Sequence, residues 1–293
     1  MRVTVRVPAT SANLGPGFDC FGLALDICNE VTVDTEAEPR VSWQGEGADE
    51  LPTDGSDMVS RAIRLGAERR GAEMPPVALR GTNRIPLERG LGSSSAAAVA
   101  GAATAQAFAG LIGPVDENPG FASFVFDVAA ELEGHQDNAA AATYGGFTMV
   151  ANGLVRRLDP HPDLDPVILV PDGQRLATAQ ARGALSPTVT RSDAVFNVGR
   201  AALAVIALTQ DPDLLFVALH DRLHEDVRAT LMPESATILS DLRRRRIPAC
   251  LSGAGPSVLA FERSGRTIEG PPEGWRVLRP GVRSKGVEVV VER

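Results

Sequence analysis

The chain has 293 residues, 44% of them hydrophobic, which suffices for a substantial core in one large domain or two ordinary ones. Its formal net charge of −8 leaves no concentrated basic face for neutralising phosphates, so the composition argues against a nucleic-acid partner. The N-terminal stretch has no apolar core behind a basic start, and no run of about 18 apolar residues occurs, so neither a signal peptide nor a membrane span is predicted and the chain is expected in the cytoplasm.

In chain order, "RVTVRV" (2–7) and "EVTVDT" (30–35) alternate polar and apolar residues as half-buried strands do. The stretch between them, "PATSANLGPGFDCFGLALDICN", is rich in turn formers. A helix is predicted from Asp57, which can cap it, to Gly71, which can end it. "PVALRGTN" (76–83) reads as a strand entering the loop "PLERGLGSSS". From Ser94 to Gly110 alanine dominates, and its helix propensity predicts a helix there. Another is predicted from Phe121 to Glu133, followed by β character in "GGFTMVAN" (145–152). "LDPHPDLDP" (158–166) has the composition of a connection between domains. Beyond it come a strand at "VILVP", helices near 193–209, 213–226 and 234–246, and closing β segments in "ACLSGAGPSVLAFE" and "GVEVVVE". Strands and helices fall in blocks without a βαβ rhythm, which predicts α+β.

Cys20, Cys28 and Cys250 are odd in number and match no zinc or disulfide spacing, so they read as reduced packing residues. The run Arg243 to Arg246 reads as a solvated helix end beside the negative pole of the helix dipole. His220 and His224 stand four apart without the HExxH signature, and read as helix surface rather than metal ligands.

The strand, glycine loop and helix start at 86–95 together form a generic anion site, because the first helical N–H groups lack partners within the helix. One serine would suffice as a cap; three in a row favour phosphate. Both Walker A loops and protein kinases need a lysine at a fixed place, yet the only lysine is Lys285. Phosphate would therefore be gripped by backbone amides, with Mg²⁺ and arginine neutralising charge.

Three motifs in order resemble the GHMP small-molecule kinases: "PATSANLGPGFDCFGLAL" (8–25), "PLERGLGSSSAA" (86–97) and "LSGAGPSVLA" (251–260). The first, with "EGHQDNAAAATYGGF" (133–147), "ATAQARGALSPTVTRSDAVFNVGRAAL" (177–203) and "DRLHEDVRATLMP" (221–233), is similar specifically to the homoserine kinase family. The resemblance implies an S5-like ATP-binding domain over 1–155, a ferredoxin-like domain over 156–293, an active site between them, and ATP- and Mg²⁺-dependent phosphorylation of the L-homoserine hydroxyl in threonine biosynthesis. It also suggests a homodimer.

Carried over residue by residue, it implies ATP contacts from Pro86, Leu87, Glu88, Arg89, Gly90, Leu91, Gly92, Ser93, Ser94 and Ser95, with Gly253 and Gly255 covering the phosphate cleft. Ser94 and Glu131 would bind Mg²⁺. Arg182 and Arg228 would clamp the acceptor's carboxylate. Asn13 and Asp19 would hold its amino end, and Thr178 and His135 would line the same wall. Asp137 and Asn138 would carry the catalytic step, by proton abstraction from Asp137 or by Asn138 orienting the hydroxyl. Asp57 stands where the family often has asparagine, which leaves the adenine contact open. The alternatives are a GHMP kinase for another carboxylate-bearing alcohol and a nonenzymatic binder that reuses the fold.

Overall fold

A computed structural model describes residues 1–111, 118–263, 265–270 and 272–292. Among these residues two sheets organise an α+β chain. The larger has seven strands, built on β1 (Arg2–Ala12) and β2 (Phe21–Asp34), which pair antiparallel along nearly their whole length. β3 (Arg40–Gly45) runs parallel to β4 (Ala78–Asn83) at one side, while β5 (Phe147–Ala151) and β6 (Leu154–Leu158) extend the other half of β2. On β1, Val3, Val5 and Val7 are buried with polar residues between them, the alternation that the sequence displays.

Against this sheet pack α2 (Ser93–Phe108) and α4 (Asp137–Tyr144), and α1 (Met58–Arg69) and α3 (Pro119–Glu133) pack in turn on these helices. Asp57 caps α1 by accepting from Ser60 N at 2.9 Å, and Gly71 follows its end at φ +64°. α2 is buried nearly all round, which its small side chains permit: a Cβ on Gly101 would meet Val59 O of α1 at 2.3 Å.

The smaller sheet orders as β10 (Trp275–Leu278), β7 (Asp165–Pro171), β9 (Val258–Glu262) and β8 (Ala249–Leu251). Around it lie α5 (Thr178–Gly183), α6 (Arg191–Thr209), α7 (Leu215–Ala218), α8 (Glu225–Ala229) and α9 (Pro233–Arg244). By length and composition alone α6 is long and apolar enough to cross a membrane, with Asp193 and Arg200 lying within it.

Three expectations are corrected. The helix predicted over 213–226 is broken into a 3-10 turn (Pro212–Leu214), α7 and α8. The Asp221 carboxylate accepts from the amides of Leu223, His224 and Glu225, starting a new helix instead of continuing the old one. A boundary at 155/156 falls inside β6, and β11 (Glu288–Glu292) returns from the second half to pair antiparallel with β1. Arg243 is not simply solvated, since it donates to buried Glu225 at 2.6 Å.

Candidate active site

The loop from Pro86 to Gly92 leaves β4 and turns into α2. Glu88, Gly90 and Gly92 all have positive φ. At two of these positions only glycine fits: a Cβ on Gly90 would lie 2.1 Å from Ser252 O, and one on Gly92 would lie 1.9 Å from Thr10 Oγ1. Residues 252–257 therefore act as a backstop. Ser252 Oγ donates to Gly90 O at 2.8 Å, and Gly255 packs behind the loop against Met232. Gly253 lines the cavity described below, but Gly255 does not, which corrects its expected place in the phosphate cleft.

Gly92 is the N-cap of α2 and makes no side-chain cap bond, so none of the serines caps the helix. The amides that open it remain available to an anion. Ser93, Ser94 and Ser95 line a polar cavity of about 260 Å³ together with Pro86, Glu88, Arg89, Gly90, Leu91 and Gly92. Arg89 is buried, and its Nε and NH2 donate to the carbonyls of Pro171 and Asp172 at 2.9 and 2.7 Å, so it ties the loop to β7.

Glu131, expected to bind Mg²⁺, does not line the cavity, and Glu133 does. Glu131 is half exposed and paired with Arg69 away from the cavity. Glu133 lines the cavity with a side chain 6% exposed, and its two oxygens accept from Ser94 Oγ and Ser95 Oγ, each at 2.5 Å. The helical phase explains the swap. Ala122, Val125, Phe126 and Ala129 form the buried face of α3, and Glu133 continues it at i+4 from Ala129; Ser123, Asp127 and Glu131 form the opposite stripe. That signal is readable in the sequence.

The far wall holds His135 from the α3–α4 connection, Asp137 and Asn138 from the start of α4, Asn13 from the β1–β2 loop, and Thr178, Arg182, Arg228 and Gly253 from the second half of the chain. Asp137 is buried, and its Oδ1 accepts from Asn138 N at 2.7 Å. Asn138 Oδ1 accepts from Thr10 Oγ1 at 2.7 Å. The Asp137 carboxylate, 3.6 Å from Nδ1, holds the His135 pKa above its ordinary value against burial, which pushes it down.

Asp19 does not line the cavity: Arg182 grips its carboxylate with both terminal nitrogens, one at 2.9 Å. Asn13 accepts from Asp19 N at 3.0 Å and donates to Gly253 O at 2.8 Å, so its amide is spent on holding the loop. Arg228 is 1% exposed and donates to Gly253 O at 3.1 Å. His224 is buried against it, which overturns the helix-surface reading of that residue.

A second cavity, of about 380 Å³, adjoins the first through Glu88, Ser93 and Ser94. Trp43, Leu51, Met58, Val31 and Leu87 make it largely apolar, and Leu87 lines it rather than the polar cavity. Asp57 borders it with its carboxylate committed to Ser60. Trp43 escaped the sequence reading because β3 is a short, half-exposed strand.

Comparison with known proteins adds three findings. The family model for the GHMP kinases N terminal domain matches residues 57–146. A homoserine kinase of Streptomyces avermitilis is 41% identical, covering 98% of this chain and 95% of the relative; one of Mycolicibacterium vanbaalenii is 45% identical, covering 89% and 85%. The crystal structure of a homoserine kinase from Cytophaga hutchinsonii superposes with a TM-score of 0.82 at 26% identity, covering 99% of this chain and 97% of that one.

Proposed function

Because the chain belongs to the homoserine kinase family of the GHMP kinases, we propose that it transfers the γ-phosphoryl group of ATP to the side-chain hydroxyl of L-homoserine, acting in the cytoplasm on the way to threonine. The observation that carries this reading is the uncapped start of α2, whose free amides face a polar cavity shared by Glu133 and two arginines from the other half of the chain.

Phosphoryl transfer asks a protein for positioning and for stabilisation of spread negative charge. The amides around Gly90 to Ser93 would take the β- and γ-phosphates, and the apolar cavity beside them would take the nucleoside. Ser94 and Glu133 suit Mg²⁺: both offer hard oxygen, they lie within hydrogen-bond reach of each other, and one carboxylate leaves coordination sites for phosphate and water, as this ion prefers. When bound there, the ion supplies neutralisation of the phosphate charge.

The acceptor is a zwitterion, and the Arg182–Asp19 pair offers it one charge of each sign. Its carboxylate replaces Asp19 on Arg182, its ammonium replaces Arg182 on Asp19, and Arg228 supplies the second guanidinium. Thr178, at the start of α5, closes this side. Asn138 orients the hydroxyl for in-line attack. Asp137 serves as the counter-charge of His135 and as an anchor for Asn138, and the hydroxyl proton passes to a phosphate oxygen.

A coupled ADP-release assay with L-homoserine, mevalonate, galactose and shikimate tests the proposal. Turnover is expected with homoserine; its absence there, with clear turnover of another carboxylate-bearing alcohol, would overturn it.

A further inference from the structure

His224 plays no part in the steps above, yet it is 1% exposed and sits between two elements of the acceptor site. Its Nδ1 lies 3.2 Å from Arg228 NH1 and its Nε2 lies 2.8 Å from Gly15 O. A guanidinium only donates, so Nδ1 accepts; a carbonyl only accepts, so the ring proton is on Nε2. Asp221 is 3.8 Å from Nε2, and its oxygens are already taken by Asn197 and the amides of Leu223, His224 and Glu225. Phe18 covers the ring at 5.1 Å between centroids and also underlies Arg228 at 5.2 Å.

We infer that His224 is a positioning residue for the acceptor: its Nδ1 accepts from the Arg228 guanidinium and so orients the cation that meets the carboxylate, while the Nε2 bond to the Gly15 carbonyl fixes the tautomer of the ring. NH1 of Arg228 is spent on His224 and Gly253, and these two bonds set the orientation in which the guanidinium meets the cavity. The loop end is equally constrained, because a Cβ on Gly15 would lie 2.3 Å from Leu219 O. The inference rests on the reading that Arg228 binds the acceptor's carboxylate.

Two substitutions separate the two bonds. His224→Gln can keep a donor near Nε2 but loses the acceptor at Nδ1, whereas His224→Asn keeps the acceptor and gives up the reach to Gly15. His224→Gln should raise the homoserine KM about ten-fold or more, with kcat and the ATP KM within about two-fold, and His224→Asn should recover most of that loss. With 3-aminopropan-1-ol, which lacks the carboxylate, His224→Gln should change kcat/KM little. Equal losses in both variants, or an equal loss with the amino alcohol, would overturn the inference. Arg228→Lys is the control for the underlying reading: an unchanged homoserine KM there refutes that reading, whereas a raised KM beside an unaffected His224→Gln refutes only the role of His224. Should His224→Gln not fold, His224→Leu takes its place, filling the volume without either bond.

Discussion

Replacing Glu133 with glutamine removes one negative charge and leaves the shape of the side chain nearly intact. The carboxylate is 6% exposed and within 2.5 Å of Ser94 Oγ, so a cation held by that serine would sit within about 4 Å of it. Two unit charges at that distance interact by about 4 kcal/mol at an effective dielectric constant of about 20. With part of this offset by desolvation, a loss of about 2–3 kcal/mol is reasonable, which corresponds to about a 30- to 140-fold rise in the Mg²⁺ concentration for half-maximal rate. Glu131→Gln breaks only the exposed pair with Arg69, a contribution of about 0–1 kcal/mol to stability and none to metal binding. The assay is ADP release under Mg²⁺ titration at saturating ATP and homoserine, run on both variants. An unchanged Mg²⁺ requirement in Glu133→Gln, or a steep rise in Glu131→Gln, would refute the reasoning.

Asp137→Asn should keep kcat within about ten-fold of the parent, since its role is positional; a fall of about a thousand-fold, in the range that general-base catalysis supplies, would instead make Asp137 the base. Trp43→Ala should raise the KM for ATP and leave that for homoserine unaltered, because Trp43 lines only the apolar cavity; a shift in the homoserine KM alone would remove that cavity from the nucleoside site. The raised pKa of His135 sets a pH window: the stabilisation is fully present below the ordinary value near 6.5 and is lost as pH rises through the raised one. His135→Gln should therefore lower Tm at about pH 5.5 and barely change it at about pH 8.5, by thermal unfolding; an equal drop at both would contradict the His135–Asp137 pairing.

What could be read in the sequence follows from how local each signal is. α1 and α2 announce themselves through Asp57, Gly71 and the alanine run, and the glycine loop through two positions where no side chain fits. The Glu131–Glu133 choice was legible too, but only by following the phase of α3 to its end. Other features depend on contacts that sequence order hides. Asp221 breaks a helix because its carboxylate outcompetes the next turn, and Asn197, 24 residues earlier, holds it in place. The strands β3 and β6 lie at the margins of the large sheet, half exposed and five or six residues long, so their alternation is faint. The burial of His224 and Arg228 follows from the loop at Gly15, far away in sequence, folding over them.

The return of β11 to β1 bears on how the protein is made. Val289 and Val291 pair with Val5 and Val3, so the large sheet lacks a neighbour for one side of β1 until residues 288–292 exist. During synthesis, β1 must wait with one edge open while more than 250 further residues are added between its end at Ala12 and Glu288. An open strand edge invites pairing with other chains, and contacts of such long sequence separation close slowly. Completion of the sheet under the glycine loop is thus coupled to synthesis of the half of the chain that carries Arg182 and Arg228.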